Sequence, residues 1–240
     1  MTDGEPSPSR PGPWQRAEVV ELRRETATAK TIRLRLSRPT PHLAGQHFVV
    51  RLTDPDGYQA SRSYSVASPP DESGEIELTV ERLPEGEVSM FLDDELIPGD
   101  DLEVRGPIGG FFVWKGDAPA FLIGGGSGIV PLMAMLRLAR RMNRSDLVRL
   151  VESVRTPADL YYSAELPGPE TAVVYTRSTP PGTVRPAGHL NADDLSGALE
   201  ADFEFYVCGS SGFADHATGL LVANGVAPSR IRVERFGPSG

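Results

Sequence analysis

The chain has 240 residues, 39% hydrophobic and 24% charged, with 25 Gly, 22 Pro and a single cysteine, Cys208. That composition suits one large or two modest globular domains rich in turns, and it excludes general disorder. One thiol excludes a disulfide framework, a Cys-ligated zinc site and a four-thiolate iron–sulfur cluster within this chain, and a net charge of −9 has the wrong sign for a general nucleic-acid binder.

Residues 1–13, MTDGEPSPSRPGP, hold four prolines and no apolar core, which reads as a disordered tail and not as a secretory signal. Six short alternating or β-rich runs follow, at 17–22, 31–36, 47–52, 62–67, 75–82 and 101–105. Turn residues separate them, among them Asp54-Pro55-Asp56-Gly57 and Pro98-Gly99-Asp100. Together they predict a six-stranded antiparallel β-barrel. Val88, Phe91 and Leu92 recur at helical spacing, predicting one short helix over 88–95 that caps it.

The pattern changes near residues 106–114. The continuous apolar run at 120–123 reads as a strand buried on both faces. Helices are expected at 131–142, 158–165, 192–195 and 212–224, alternating with strands at 147–154, 172–175, 204–207 and 231–236. Such alternation predicts an α/β doubly wound parallel sheet. The expected division is therefore a tail over 1–13, a barrel over 14–114 and an α/β domain over 115–240. Residues 118–136 carry no charge, but Gly124-Gly125-Gly126-Ser127-Gly128 and Pro131 break them into strand, loop and helix start. No membrane span is expected there, and the chain is read as soluble and cytoplasmic.

The glycine run follows a buried strand and opens a helix, where backbone amides bind phosphate, although a tight turn without ligand would look the same. Pro131 stands where the dinucleotide fingerprint places its third glycine, a substitution an early helix position accepts. The next strand ends in Arg155 rather than an acid, and Arg177 ends the third. Two guanidiniums there favour the 2′-phosphate of NADP(H) over the ribose hydroxyls of NAD(H), unless they are plain surface arginines. On the fourth strand, Arg62 and Tyr64 share one face and Ser63 and Ser65 the other, so a cation and an aromatic could serve a diphosphate and a planar ring. Gly86-Glu87-Val88-Ser89 opens the short helix as a second anion site or as an ordinary helix start.

Arg62-Ser63-Tyr64-Ser65, Gly86-Glu87-Val88-Ser89, Gly106-Pro107-Ile108-Gly109, Gly124 to Pro131, Cys208-Gly209 and Glu234-Arg235-Phe236 occur in an order and spacing that resembles the ferredoxin–NADP reductase superfamily. The likeness spans residues 14–238 and is strongest to bacterial flavin-containing reductase components of oxygenase systems. It implies a barrel that binds FAD, less often FMN, with Arg62 on the pyrophosphate, Tyr64 on the isoalloxazine, Ser63 on the same strand and Ser65 near N5. Gly86, Val88 and Ser89 would take phosphate through amides and the Ser89 hydroxyl. Gly125, Gly126, Ser127 and Gly128 would hold NADPH (or NADH), with Arg155 and Arg177 at its adenosine end. Cys208 and Gly209 would line the nicotinamide site, with Glu234 and Phe236 close to the flavin. Ser65, Cys208 and Glu234 are the residues expected nearest the hydride transfer; a buried structural thiol is the alternative for Cys208.

The implied function is an FAD-dependent NAD(P)H reductase passing electrons to a separate acceptor, either a small molecule or a protein such as a ferredoxin, haem or molybdenum enzyme. A tightly bound electron-transfer subunit and a nucleotide-binding regulatory module are the alternatives. Arg137, Arg140, Arg141 and Arg144 form a basic helix segment that reads as a solvated face or as a dock for an acidic partner. Ser210 and Ser211 stand where prolines often follow Cys-Gly in that superfamily, and His189 where arginine is frequent, so His189 receives no role.

Overall fold

The computed structural model describes residues 12–166, 168–199 and 202–237, so all but the last two residues of the expected tail lie outside it. Six antiparallel strands come first: β1 (Gln15–Thr26), β2 (Ala29–Leu36), β3 (His47–Thr53), β4 (Gln59–Ser65), β5 (Glu75–Glu81) and β6 (Asp101–Ile108). Their order is β4-β3-β6-β1-β2-β5, and a bridge from Val66 to Leu78 brings the two edges together into a barrel. Alternation supplies its core: Val19, Ile32, Leu34, Phe48, Val50 and Leu78 point inward and are at most 1% exposed. Each such side chain contributes about 1.5–3 kcal/mol on burial. Helix α1 (Glu87–Asp94) adds Val88 and Leu92 to the same core.

Five parallel strands follow, β7 (Ala120–Gly125), β8 (Val148–Val154), β9 (Thr171–Tyr175), β10 (Glu204–Ser210) and β11 (Ile231–Phe236), in the order β11-β10-β7-β8-β9. Helix α2 (Ile129–Arg141) covers one face with Leu132, Met135, Leu136 and Ala139. After a four-residue helix α3 (Ser196–Leu199), helix α4 (Ser211–Ala223) covers the other with Ala214, Ala217 and Leu221. Strand order reverses between β7 and β10, and ligands of such sheets bind at the carboxyl ends of the strands flanking that reversal.

Two expectations need correction. No α-helix spans 158–165: a single 3-10 turn at Pro157–Asp159 is followed by turns. Tyr162 has φ 52°, outside helical space, because both Tyr161 and Tyr162 are buried. The Tyr162 hydroxyl lies 2.5 Å from Thr79 Oγ1 and its amide donates to Glu25, so this segment serves as a plug against the barrel. Nor is the arginine segment of α2 a free basic face. Arg137 is half-buried between domains and donates to Glu77, Glu165 and the Ala67 carbonyl, while Arg140 donates to Glu170 at 2.7 Å. Arg141 and Arg144 are the exposed pair, each facing an aspartate, Asp71 and Asp146.

Candidate active site

On β4, Tyr64 is paired with Phe48 and Arg62 with Val50, which sets the tyrosine ring against the barrel core and the arginine two residues along. Arg62 is exposed, and among the described residues its guanidinium donates only to the Ser61 carbonyl. Burial pushes the Tyr64 phenol above its usual range, so it remains neutral. Ser65 is buried at the strand end opposite His47, and Ser63 is exposed.

The turn into α1 is held by its own groups. Ser89 Oγ donates to the Gly86 carbonyl at 3.0 Å and accepts from the Leu83 amide at 3.2 Å. Its proton is therefore committed to the turn. The first amides of α1 have no side-chain cap, and with Gly86 as N-cap they form an anion-accepting end.

β7 ends in a 3-10 turn, Gly126–Gly128, that runs directly into α2, again without a side-chain cap. Close packing explains its glycines. A Cβ on Gly125 would strike the Phe213 ring at 2.6–2.8 Å, and one on Gly128 would strike the backbone of Cys208 and Gly209. Gly126 takes φ 58° and has open space at its Cβ position. Strand β5 runs up against this turn, so the barrel and the sheet meet there.

Cys208 is paired with Gly124 on one side and Glu234 on the other, and is fully buried. Burial, helped by the carboxyls of Glu234 and Glu152, pushes its thiol well up, which excludes a resident thiolate. Burial also pushes the Glu234 carboxyl up to about 7, and its Oε2 has no hydrogen-bond partner among the described residues. Phe236 packs against the core cluster that contains Cys208. At the far end of β8 and β9 the Arg177 amide donates to the Arg155 carbonyl at 2.9 Å, bringing two exposed arginines side by side. Arg155 Nη2 lies 3.6 Å from Asp159.

The structure thus gathers Gly125, Gly126, Ser127, Gly128, Cys208, Gly209, Glu234 and Phe236 at the carboxyl ends of β7, β10 and β11, and sets Arg155 and Arg177 apart at the edge of β8 and β9. Sequence reasoning missed Phe213, which wedges against Gly125 and Gly209, and Glu152, the lone charge in Leu150-Val151-Glu152-Ser153-Val154. A charge inside a run otherwise suited to a doubly buried strand was the available signal. Among the described residues no group of His, Cys, Asp and Glu could hold a metal, and no helix is long and apolar enough to cross a membrane.

Two family models match, an oxidoreductase FAD-binding domain over residues 16–113 and an oxidoreductase NAD-binding domain over 122–218. The aromatic O-demethylase reductase subunit of an Amycolatopsis species is 32% identical across 92% of this chain and 68% of its own length. The phenol hydroxylase P5 protein of Acinetobacter pittii is 30% identical across 92% of this chain, which spans 65% of that relative. The FAD/NAD-binding domain of a Vibrio cholerae nitric oxide dioxygenase superposes with a TM-score of 0.83 at 25% identity, covering 95% of this chain and all of that one. With its barrel, its glycine turn and its reversed parallel sheet, the chain belongs to the ferredoxin–NADP reductase superfamily.

Proposed function

We propose that the chain is an FAD-dependent NAD(P)H reductase of the cytoplasm that hands electrons to a separate acceptor, a protein or a small molecule. One observation carries the reading: two uncapped helix starts, at Gly86 and at Gly126–Gly128, on two domains that meet where β5 runs against the glycine turn. Two anion-accepting ends suit two dinucleotides. The division at residue 114 follows the same logic, one cofactor to each side.

Bound FAD supplies hydride acceptance and one-electron release, and the protein binds and orients. Arg62, free of any carboxylate among the described residues, would neutralise the flavin diphosphate together with the amides of Gly86, Val88 and Ser89. Tyr64, neutral and anchored on the barrel core, would offer its ring to the flavin, with Ser65, buried at the strand end, toward its N5 and Ser63 on the same strand. The amides of Gly125, Gly126, Ser127 and Gly128 receive the nicotinamide nucleotide's diphosphate. Cys208 and Gly209 give its ring a close, uncharged floor, and Phe236 shields the pocket from water. Glu234, with a carboxyl near 7, holds or releases a proton at Oε2. Arg155 and Arg177 select the 2′-phosphate of NADPH over NADH. A free, buried thiol suits a reducing compartment.

Anaerobic titration of the flavin-loaded chain with NADPH, and with NADH in parallel, tests the reading. Bleaching of the visible flavin band supports it, and a chain that takes up neither FAD nor FMN refutes it. Arg62→Ala should lower FAD affinity roughly tenfold or more, the worth of a charge-assisted hydrogen bond, read by flavin retained on dialysis. Arg155→Ala should raise the KM for NADPH roughly tenfold while leaving that for NADH nearly unchanged. Equal rises for both would remove Arg155 from the 2′-phosphate.

A further inference from the structure

Glu152 stands out at the carboxyl end of β8. It is 1% exposed, and neither carboxyl oxygen has a hydrogen-bond partner among the described residues. Register sets it opposite Gly124, and its Oε2 occupies the space that a Gly124 Cβ would need. The titratable groups facing it are Cys208 and Tyr161, both neutral, and beyond them Glu234, Glu81 and Asp159. No cation is among them. An ionised carboxylate there would be costly, so the side chain is a neutral acid. An apolar residue would fill this site at lower free energy, and such local conflicts mark functional positions.

The glycine turn explains the conflict. Phe213 clamps Gly125 and the Cys208 carbonyl clamps Gly128, but Gly126, with φ 58°, has no atom within 4 Å of its Cβ position. Gly126 is thus the one glycine of the three that side-chain or backbone packing does not clamp at its Cβ position. The Gly126 N–H is directed at the Glu152 carboxyl without closing a hydrogen bond to it.

We infer that Glu152 is a positioning residue for the nicotinamide nucleotide: when the nucleotide binds, its carboxyl closes the hydrogen bond with the Gly126 N–H and fixes the turn in the form whose next amides, at Ser127 and Gly128, receive the diphosphate. The inference rests on the nucleotide reading above and adds to it a group beneath the turn. A glutamine at this position keeps the acceptor, whereas a leucine of similar volume removes it.

Calorimetric affinities for NADP+ and for 2′-phospho-ADP-ribose, which carries the diphosphate but no nicotinamide, test it on the flavin-loaded chain, together with Tm. Glu152→Leu should weaken both ligands alike, by roughly fivefold to tenfold, the worth of one hydrogen bond. Its Tm should hold or rise, and Glu152→Gln should bind as the wild type does. Should the leucine variant fail to fold, Glu152→Met, similar in length and without the acceptor, replaces it. Wild-type affinity in the apolar variant, a loss confined to NADP+, or a glutamine variant as weak as leucine overturns the assignment. A wild-type chain that binds neither ligand overturns the nucleotide reading as well.

Discussion

Gly128→Ala is expected to abolish measurable nucleotide binding and to destabilise the chain by about 3 kcal/mol, the upper range for overpacking a filled interior. The new Cβ would lie 2.5 Å from the Cys208 carbonyl carbon and 2.7 Å from the Gly209 Cα. Both are backbone atoms of β10, a strand paired on both sides, and neither can rotate away. The start of α2 would have to lift from β10, carrying Ser127 with it and disturbing the pairing of Cys208 with Gly124 and Glu234. Two neighbouring substitutions calibrate the effect. Gly126→Ala meets open space and should carry only the left-handed backbone penalty of about 1–2 kcal/mol. Gly212→Ala, in the exposed first turn of α4 with nothing nearby, should be neutral or stabilise by less than about 1 kcal/mol. Denaturant midpoints and NADP+ titrations on the three variants give the ranking, and a Gly128 variant as stable as the Gly212 variant would mean that the α2–β10 contact is slack.

Much of this architecture was legible because the hydrophobic period is strong where the elements are regular. Alternation in β1 and β2, the apolar run in β7 and the Leu132–Met135–Leu136–Ala139 face of α2 each announce an element and the face it buries. The glycine turn and the Arg62–Ser65 strand were legible for another reason: they depend on local backbone and spacing. Tertiary contacts were not. The segment Ala158 to Glu165 has helix-forming residues, yet Tyr161 and Tyr162 gain more by entering the domain boundary than by completing a helix. Arg137 and Arg140 sit in a run of arginines that composition alone assigns to solvent. Their partners Glu77, Glu165 and Glu170 lie 60, 28 and 30 residues away, so no local pattern points to them. Glu152 belongs to the same class, because its meaning depends on a glycine 28 positions earlier in a neighbouring strand.

Arg137→Ala is the second substitution with a large expected effect, about 3 kcal/mol, the lower range for removing one partner of a buried ionic cluster. The side chain is 11% exposed and its guanidinium joins both domains: Nη1 donates to Glu77 at 2.9 Å and to the Ala67 carbonyl at 2.8 Å on the barrel, and Nε and Nη2 donate to Glu165 beside the tyrosine plug. It also lies 5.0 Å from the centre of the Tyr162 ring. Without it, Glu77 and Glu165 face one another with the more distant Arg23 as compensation. Arg137→Lys should recover only part of the loss, because one ammonium cannot reproduce the planar set of contacts. The pH dependence has a definite sign. Burial raises the Glu165 carboxyl, but the Arg137 hydrogen bonds and charge outweigh it and hold Glu165 below its ordinary value of 4.5. Its contribution is therefore complete above that value in the wild type and fades as the pH falls through the lowered one. Urea midpoints for wild type and Arg137→Ala should differ most near neutrality and converge in acid. A constant difference across that range would place the contribution of Arg137 in packing against Tyr162 and in the Ala67 hydrogen bond. A double-mutant cycle with Glu77→Gln then measures how strongly this one side chain couples the barrel to the sheet on which the glycine turn sits.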